Sequence, residues 1–162
     1  MPPLLGLIAT ALLAMGGAEA TAVSRVVSVR DGDTVRLQRD GALVAVRLAC
    51  IDAPELRQRP LGPGARQLLR ELLPPGSAVQ VRRFATDRYG RLVAELRTPG
   101  GVNVNQRLVA RGAAFVYWAY IRGCDRQTYG RLETEARLKR LGVWAPPGGL
   151  ERPWELRARS RR

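Results

Sequence analysis

The most informative absence in this sequence is histidine, which does not occur in its 162 residues. Without imidazole, the chain cannot build Ser-His or Cys-His nucleophilic sites, cut RNA with a histidine base, or hold zinc or iron through histidine. The two cysteines are too few for a structural zinc site. Any chemistry that the protein performs must therefore use carboxylates, arginine, tyrosine or a hard metal ion.

Negative charge and lysine are also scarce. The chain has 27 Lys and Arg residues against 14 Asp and Glu, a formal charge of +13, and Lys139 is its only lysine. This surplus favours a polyanionic partner, because counterion release gives sequence-independent affinity for nucleic acid. An anionic membrane surface or high solubility would suit the same charge, and a GC-rich genome would enrich arginine without any function. Charge alone thus favours nucleic acid without excluding these alternatives.

The N-terminus carries an apolar run over residues 4–15, which is short for a transmembrane helix. Ala18 and Ala20 then match a small-x-small cleavage site, so residues 1–20 are predicted to be a signal peptide that is removed near Ala20. An uncleaved membrane anchor is the alternative, because no Lys or Arg precedes the apolar run. We expect an exported protein, periplasmic or secreted, with no membrane contact after cleavage.

Export bears on the two cysteines, Cys50 and Cys124. In an oxidising compartment they can form a disulfide across a long loop, whereas the alternative is two buried thiols that act as small apolar groups. The disulfide is the prediction if export occurs and if the two α-carbons come close enough.

The pattern of apolar residues divides the remaining chain into a strand-rich first half and a helical second half. Five segments rich in valine and leucine are predicted as strands: 23–29, 34–38, 42–51, 79–84 and 92–96. Apolar stripes with start and stop signals predict three helices: 63–73, 104–110 and 125–141. This order predicts an α+β, mainly β, fold in residues 21–145: a five-stranded OB-type barrel with about three helices. Residues 146–162 are a basic tail, rich in Pro, Gly and Arg, that either packs through Trp154 or stays mobile.

Two aspartates lie at the ends of predicted strands: Asp33 directly precedes strand 34–38, and Asp52 directly follows strand 42–51. Asp33 and Asp52 can place two oxygen ligands on one hard divalent cation if the strand ends lie side by side. The backbone carbonyl of Ala53 is a further candidate, and calcium suits such irregular oxygen sites. Taken alone, Asp31-Gly32-Asp33 is typical of an ordinary turn.

Glu55 and two arginines would complete a site for phosphate chemistry. A carboxylate that lies beside the metal, as Glu55 would, can orient or deprotonate a water molecule. Arg47 lies in an apolar strand, where its charge needs a partner, and Arg91 follows a tight turn. Both guanidiniums can bind non-bridging phosphate oxygens and neutralise transition-state charge. Taken alone, Glu55 is typical of a helix cap and Arg91 of a solvated hairpin.

Three segments in order resemble the signature segments of the staphylococcal nuclease (thermonuclease) family. They are Asp-Gly-Asp-Thr at 31–34, Arg-Leu-x-x-Ile-Asp-x-Pro-Glu at 47–55 and Thr-Asp-Arg-Tyr-Gly-Arg at 86–91. The resemblance covers roughly residues 23 to 144 and implies an OB barrel with calcium-dependent hydrolysis of DNA and RNA. The cysteine pair and the Arg-rich tail resemble an exported bacterial branch of the family.

The resemblance also implies a role for individual residues. At the reaction centre these are calcium ligands (Asp33, Asp52 and the carbonyl of Ala53), a general base (Glu55) and phosphate clamps (Arg47 and Arg91). Asp87, Arg88 and Tyr89 match a segment that lines the family's nucleotide site. Trp118 and Tyr120 fall where the prototype has two tyrosines beside the nucleotide, so stacking on bases is one reading. Core packing is the alternative for the aromatic cluster around Trp118.

The reaction implied is attack of water on phosphorus, which displaces the 5′-oxygen and leaves a 3′-phosphate. We expect a monomer that acts on DNA, RNA or both, with no stable protein partner. The alternative is a non-catalytic OB-fold protein that binds nucleic acid and shares the basic surface. Such a protein would have no reason to keep Asp33, Asp52 and Glu55 together, because their negative charges should repel phosphate.

Overall fold

Seven strands and four α-helices form from residues 23–161, the part of the chain that the computed structural model describes. The strands are β1 (Ser24–Val29), β2 (Thr34–Arg39), β3 (Ala42–Leu48), β4 (Ile51–Asp52), β5 (Ala78–Thr86), β6 (Leu92–Arg97) and β7 (Phe115–Val116). The helices are α1 (Leu61–Leu72), α2 (Val104–Ala110), α3 (Arg126–Leu138) and α4 (Pro153–Arg159). The predicted signal peptide, residues 1–20, lies outside the described residues.

Five of the strands close into a barrel in the order β1-β2-β3-β6-β5. Every neighbouring pair is antiparallel except β3 and β6, which are parallel. Asp40 and Gly41 join β2 to β3, and both have the positive φ that tight hairpin loops require. The α+β fold with an OB-type barrel is thus confirmed, and the fourth helix comes from the C-terminal segment.

The barrel core follows from alternation along the strands. On β2, Val35 and Leu37 are fully buried while Arg36 between them is exposed, because successive side chains of a strand point to opposite faces. On α1, Leu69 is fully buried, and Leu73 just after the helix packs into the same cluster. One continuous apolar core therefore runs from the barrel to the helices.

Asn105, on α2, is a buried polar residue with three hydrogen bonds. Its Nδ2 donates to the carbonyls of Ala49 (3.0 Å) and Ala94 (3.1 Å), and its Oδ1 accepts from the amide of Leu96 (3.1 Å). Buried amides need such partners, since an unpaired one costs free energy. Asn105 thereby ties α2 to β6 and to the segment that leads into β4.

The short strand β4 is held from a second side by β7 and by a disulfide. Ile51 pairs with Val116, and Asp52 with Phe115. Cys50 is bonded to Cys124, 74 residues further along the chain, so the predicted disulfide is present in the structure. None of the helices within residues 23–161 is long and apolar enough to cross a membrane.

The C-terminal segment packs against the rest of the protein through an aromatic cluster. Phe115 and Trp144 are buried together with their rings edge to face, and Trp154 of α4 packs against the same cluster. Of the two alternatives for this segment, packing through Trp154 is the one that the structure contains. The packing brings α4 to the part of the fold that contains β4.

Candidate active site

The loop before β2 and the short strand β4 bring two carboxylates to one guanidinium. Asp33 immediately precedes β2, and Asp52 ends β4. Arg47, on β3, lies opposite Thr34 in the sheet. Its Nη1 is 2.8 Å from Asp33 Oδ2, and its Nη2 is 2.8 Å from Asp52 Oδ1. The two aspartates predicted as ligands of one cation therefore converge, and Arg47 has the partners that a charge in an apolar strand needs.

The loop that carries Asp33 can approach this closely because its middle residue is glycine. A Cβ on Gly32 would lie 2.6 Å from the Cβ of Ala53 and 2.8 Å from the Cβ of Ala65 in α1. The amide of Ala53 donates a 2.7 Å hydrogen bond to Asp33 Oδ2. Gly32 thus lets the backbone pack tightly enough for Asp33 to meet the end of β4.

Both aspartates are nearly inaccessible to solvent, with 7% of Asp33 and 1% of Asp52 exposed. Burial raises the pKa of Asp33 from 3.8 to about 7, because a charge is costly away from water. Arg47 opposes this rise in the pKa, while the neighbouring charges of Asp31 and Asp52 add to it. Keeping Asp33 ionised at neutral pH therefore requires positive charge beside it.

Glu55 lies in the turn between β4 and α1, and its backbone is tightly held. Its amide donates to Gln58 Oε1 (2.9 Å), and its carbonyl accepts from the Gln58 amide (2.8 Å). Gly62 packs against this turn so closely that a Cβ there would lie 2.0 Å from the Glu55 carbonyl oxygen. The Glu55 side chain remains 34% exposed and lines the same cleft as Asp52. A fixed backbone with a solvent-accessible carboxylate suits a base that acts on water.

Arg91 is positioned by Asp87 across the turn that joins β5 to β6. Asp87 Oδ2 accepts from Arg91 Nε (2.7 Å), and its Oδ1 accepts from the amides of Tyr89 (2.9 Å) and Arg91 (3.0 Å). Burial by itself would raise the pKa of Asp87, but the hydrogen bonds from Arg91 and Tyr89 outweigh it and lower the pKa. Asp87 is therefore a carboxylate that orients an arginine.

All the predicted site residues but one line a single open cleft of about 1190 Å³: Asp33, Arg47, Asp52, Ala53, Glu55, Asp87, Arg88, Tyr89, Arg91 and Tyr120. Trp118 lies instead against α3. Its Nε1 donates to Glu133 Oε2 (2.8 Å), and the guanidinium of Arg126 covers its ring at 5.1 Å. The structure thus separates Trp118 from the other residues of the proposed site.

Two aromatic residues of the cleft present most of their surface to solvent. Tyr89 is 68% exposed and Tyr120 is 67% exposed. The guanidinium of Arg88 lies 4.9 Å from the centre of the Tyr89 ring, and that of Arg91 lies 5.4 Å from it. Exposed rings beside arginines can hold single-stranded bases by stacking and by contact with phosphate.

Sequence reasoning missed Arg157 on α4, which lines this cleft and contacts its carboxylates. Its Nη2 lies 2.5 Å from Asp52 Oδ2, and its Nη1 lies 2.7 Å from Glu55 Oε1 and 3.3 Å from Asp52 Oδ1. Burial by itself would lower the pKa of Arg157, but the hydrogen bonds to Asp52 and Glu55 outweigh it and raise the pKa. A second guanidinium therefore joins Asp52 to Glu55, as Arg47 joins Asp52 to Asp33.

The sequence does contain a weak signal for this helix. Pro153 stands at a first helical position and Glu155 in the first turn, both of which favour a helix start. Trp154 and Arg157 then fall three residues apart, so they share one face of a helix. Nothing in that pattern says which part of the protein the face contacts.

The donor set of the site suits a hard cation such as calcium. Within residues 23–161, no three acidic or thiol side chains are already gathered as a metal site. Asp52 nevertheless holds a cationic guanidinium on each side, shared with Asp33 on one side and with Glu55 on the other. Calcium is bound in proteins by the oxygens of carboxylates, backbone carbonyls and water. Asp33, Asp52 and the nearby backbone of Ala53 therefore fit the ion.

Comparison with known proteins places this cleft in a family. The family described as Staphylococcal nuclease homologue matches residues 45–146. A micrococcal nuclease of Shigella flexneri is 41% identical over 144 residues, covering 84% of this chain and 80% of that protein. An uncharacterized endonuclease of Escherichia coli O157:H7 is 38% identical over 136 residues, covering 84% of this chain and 85% of that protein. The chain therefore belongs to the staphylococcal nuclease family and is a nuclease that hydrolyses phosphodiester bonds.

Proposed function

We propose that this nuclease is calcium-dependent, with the ion held by Asp33, Asp52 and the backbone carbonyl of Ala53. The observation that supports the proposal is the convergence of Asp33, Asp52 and Glu55 in one cleft of a chain whose formal charge is +13. Three clustered carboxylates would repel a phosphate, whereas the same carboxylates with a bound cation would attract it. When bound, calcium would supply the positive charge that makes water more acidic and offsets the charge of the phosphate.

The protein side chains account for the remaining chemistry. Glu55 accepts a proton from a water molecule as that water forms a bond to phosphorus. The bond from phosphorus to the 5′-oxygen, on the opposite side, breaks, and the 5′-oxygen leaves with the electron pair and takes up a proton from solvent. Arg47 and Arg91 bind the non-bridging oxygens, whose negative charge increases in the transition state. The products are a 3′-phosphate and a 5′-hydroxyl.

The neighbouring nucleotides would be held by the outer part of the cleft. Tyr89 and Tyr120 provide exposed rings for bases, and Arg88 lies where it can pair with an adjacent phosphate. Bases can stack on these rings only when they are unpaired, so single-stranded nucleic acid is the preferred substrate in this proposal. Asp87 contributes indirectly, because it orients Arg91.

Metal removal tests the proposal directly. The purified protein should degrade single-stranded DNA in calcium and stop in excess EGTA, with activity restored by added calcium. The fragments should resist extension by a DNA polymerase until a phosphatase removes the 3′-phosphate. Cleavage that is unaffected by chelation would reject the metal, and fragments that are extended without phosphatase treatment would reject the polarity of bond breakage.

We also propose that the protein is exported and that residues 1–20 are removed. The Cys50–Cys124 disulfide supports this, because such bonds persist mainly in oxidising compartments. Intact-mass measurement of the protein from fractionated bacterial cells should find a chain that begins at Thr21 in the periplasm or medium. A full-length chain in the membrane fraction would favour an uncleaved anchor.

A further inference from the structure

The C-terminal helix α4 is attached beside the cleft by the ring of Trp154 and by hydrogen bonds. The ring of Trp154 stacks on Tyr117, which directly follows β7, with 4.7 Å between ring centres and 5° between ring planes. Near the end of the helix, Ser160 Oγ accepts a 2.8 Å hydrogen bond from Arg57 Nη2. These contacts bring the same face of α4, and with it Arg157, to the carboxylates of the cleft.

Arg157 occupies the position between Asp52 and Glu55 that a cation would take. Its guanidinium contacts both oxygens of Asp52 and one oxygen of Glu55, at 2.5 to 3.3 Å. A divalent cation bound directly to Asp52 would have to lie within a few ångströms of this guanidinium. Asp52 Oδ1 already pairs with Arg47, and Arg157 contacts both oxygens of Asp52. A cation that binds Asp52 Oδ2 therefore competes with Arg157 for that oxygen and is repelled by its charge.

We propose that Arg157 sets the metal affinity of the active site, as a built-in counter-cation that calcium must displace. This inference rests on the proposed calcium dependence. In the metal-free protein, Arg157 pairs with both Asp52 and Glu55. Calcium and Arg157 compete for the same carboxylate oxygens, so the measured affinity for calcium is weakened by the stability of the Arg157 contacts.

Arg157, rather than Arg47, is the guanidinium that gives way. Arg47 belongs to a central barrel strand, its side chain is 15% exposed, and it also pairs with Asp33. The Arg157 side chain is 34% exposed and lies on a seven-residue helix near the end of the chain. Moving it disturbs the surface of the protein and leaves the barrel intact.

Displacement of Arg157 also affects the general base. In the metal-free protein, the Glu55 carboxylate is engaged by Arg157 at 2.7 Å. A carboxylate oxygen that accepts a hydrogen bond from a guanidinium is occupied, so it is not free to accept one from water. Displacement of Arg157 by calcium at Asp52 therefore also frees the Glu55 carboxylate to accept a proton from water.

Calcium titration of three proteins tests the inference: the unmodified protein, Arg157→Gln, and Arg159→Gln as the matched control. Arg159 lies on the same helix and pairs with Glu151 at the surface, so its replacement makes the same change in net charge away from the cleft. By isothermal titration calorimetry without nucleic acid, Arg157→Gln should bind calcium at least tenfold more tightly than the unmodified protein, and Arg159→Gln within twofold of it. Equal affinity in the unmodified protein and Arg157→Gln would overturn the inference.

A second variant keeps the test decisive if Arg157→Gln does not fold without calcium. Lysine at 157 retains a positive charge but cannot bridge two carboxylates with a planar fork, so Arg157→Lys should bind calcium with intermediate affinity. Affinity equal to or weaker than that of the unmodified protein would count against displacement.

The same titrations separate this inference from the proposal on which it rests. Absence of calcium binding in every variant, together with cleavage that needs no calcium, would reject the calcium site itself and this inference with it. Calcium-dependent cleavage with identical calcium affinities would reject only the role of Arg157.

Discussion

At the scale of single residues, the site is a row of alternating carboxylates and guanidiniums around a buried aspartate. Asp52 stands at its centre, 1% exposed and paired with both Arg47 and Arg157. Removing one partner from such a group leaves an uncompensated buried charge, which costs more than the intact pair contributes. The charged residues of the cleft therefore contribute to stability as well as to the proposed chemistry. A substitution that tests catalysis alone must leave the charges of Asp33 and Asp52 in place.

At Glu55, a substitution can test the proposed catalytic role with little effect on the fold. Glu55→Gln keeps the shape of the side chain and removes its basicity, so turnover should fall by roughly 10²–10⁴-fold, the usual contribution of a general base. Binding of labelled single-stranded DNA should survive, because Arg47 and Arg91 remain. Single-turnover kinetics and fluorescence anisotropy measure the two effects.

Glu151→Gln is the matched control for this substitution, because Glu151 pairs with Arg159 at the surface. Its turnover should equal that of the unmodified protein. If Glu55→Gln cleaves as fast as this control, Glu55 is not the base.

At the scale of secondary-structure elements, the decisive piece is β4, a strand of only two residues that carries Asp52. A strand this short has little stability of its own. It is held by pairing with β7, by Asn105 beneath the preceding segment, and by the disulfide at Cys50. The position of Asp52, one of the proposed calcium ligands, thus depends on three attachments that are distant from one another in sequence.

Loss of the disulfide should destabilise the protein without abolishing the fold. The bond closes a loop with a sequence separation of 74 residues, so the Cys50→Ser/Cys124→Ser variant should lose roughly 2–5 kcal/mol in the free energy of unfolding. Urea denaturation followed by tryptophan fluorescence measures this loss. The unmodified protein in excess reductant should show the same lowered midpoint, and an unchanged midpoint in both would mean that the bond contributes nothing.

At the scale of the whole molecule, the C-terminal segment returns to the active site. The family match ends at residue 146, whereas α4 begins at Pro153. The residue that contacts both Asp52 and Glu55 therefore comes from beyond the matched region. The basic charge of the chain is likewise not only a surface for nucleic acid, because some of its guanidiniums neutralise the carboxylates of the cleft.

Much of the fold was predictable because its signals are local. The barrel strands were placed within a few residues, and α2 was predicted with the bounds that it has, 104–110. The predicted strand 42–51 is interrupted, however, since β3 ends at Leu48 and Cys50 takes a positive φ. That break reorients the chain so that Asp52 pairs with β7, and an apolar sequence of the strand type does not reveal it.

The site was predictable to the extent that its residues lie in recognisable segments. Asp33, Arg47 and Asp52 follow from spacing within short motifs, and the closed barrel brings them together. Trp118 was assigned from its position in the chain alone, but its indole hydrogen bond to Glu133 holds it on α3. Which way an aromatic side chain turns depends on a partner that local sequence does not identify.

The barrel strands, the nuclease motifs and the exclusion of histidine chemistry can be read from the amino-acid order, because alternation, turn residues and composition act over short distances. The contact of Arg157 with Asp52, across 105 residues of chain, and the stacking of Trp154 beside it are seen only in the folded protein. Contacts of this kind are selected by the packing of whole elements, in which the stacking of one ring sets the position of a charge one helical turn away. The carboxylates of the cleft therefore come from the motifs, whereas the second guanidinium that pairs with them depends on how the C-terminal segment packs.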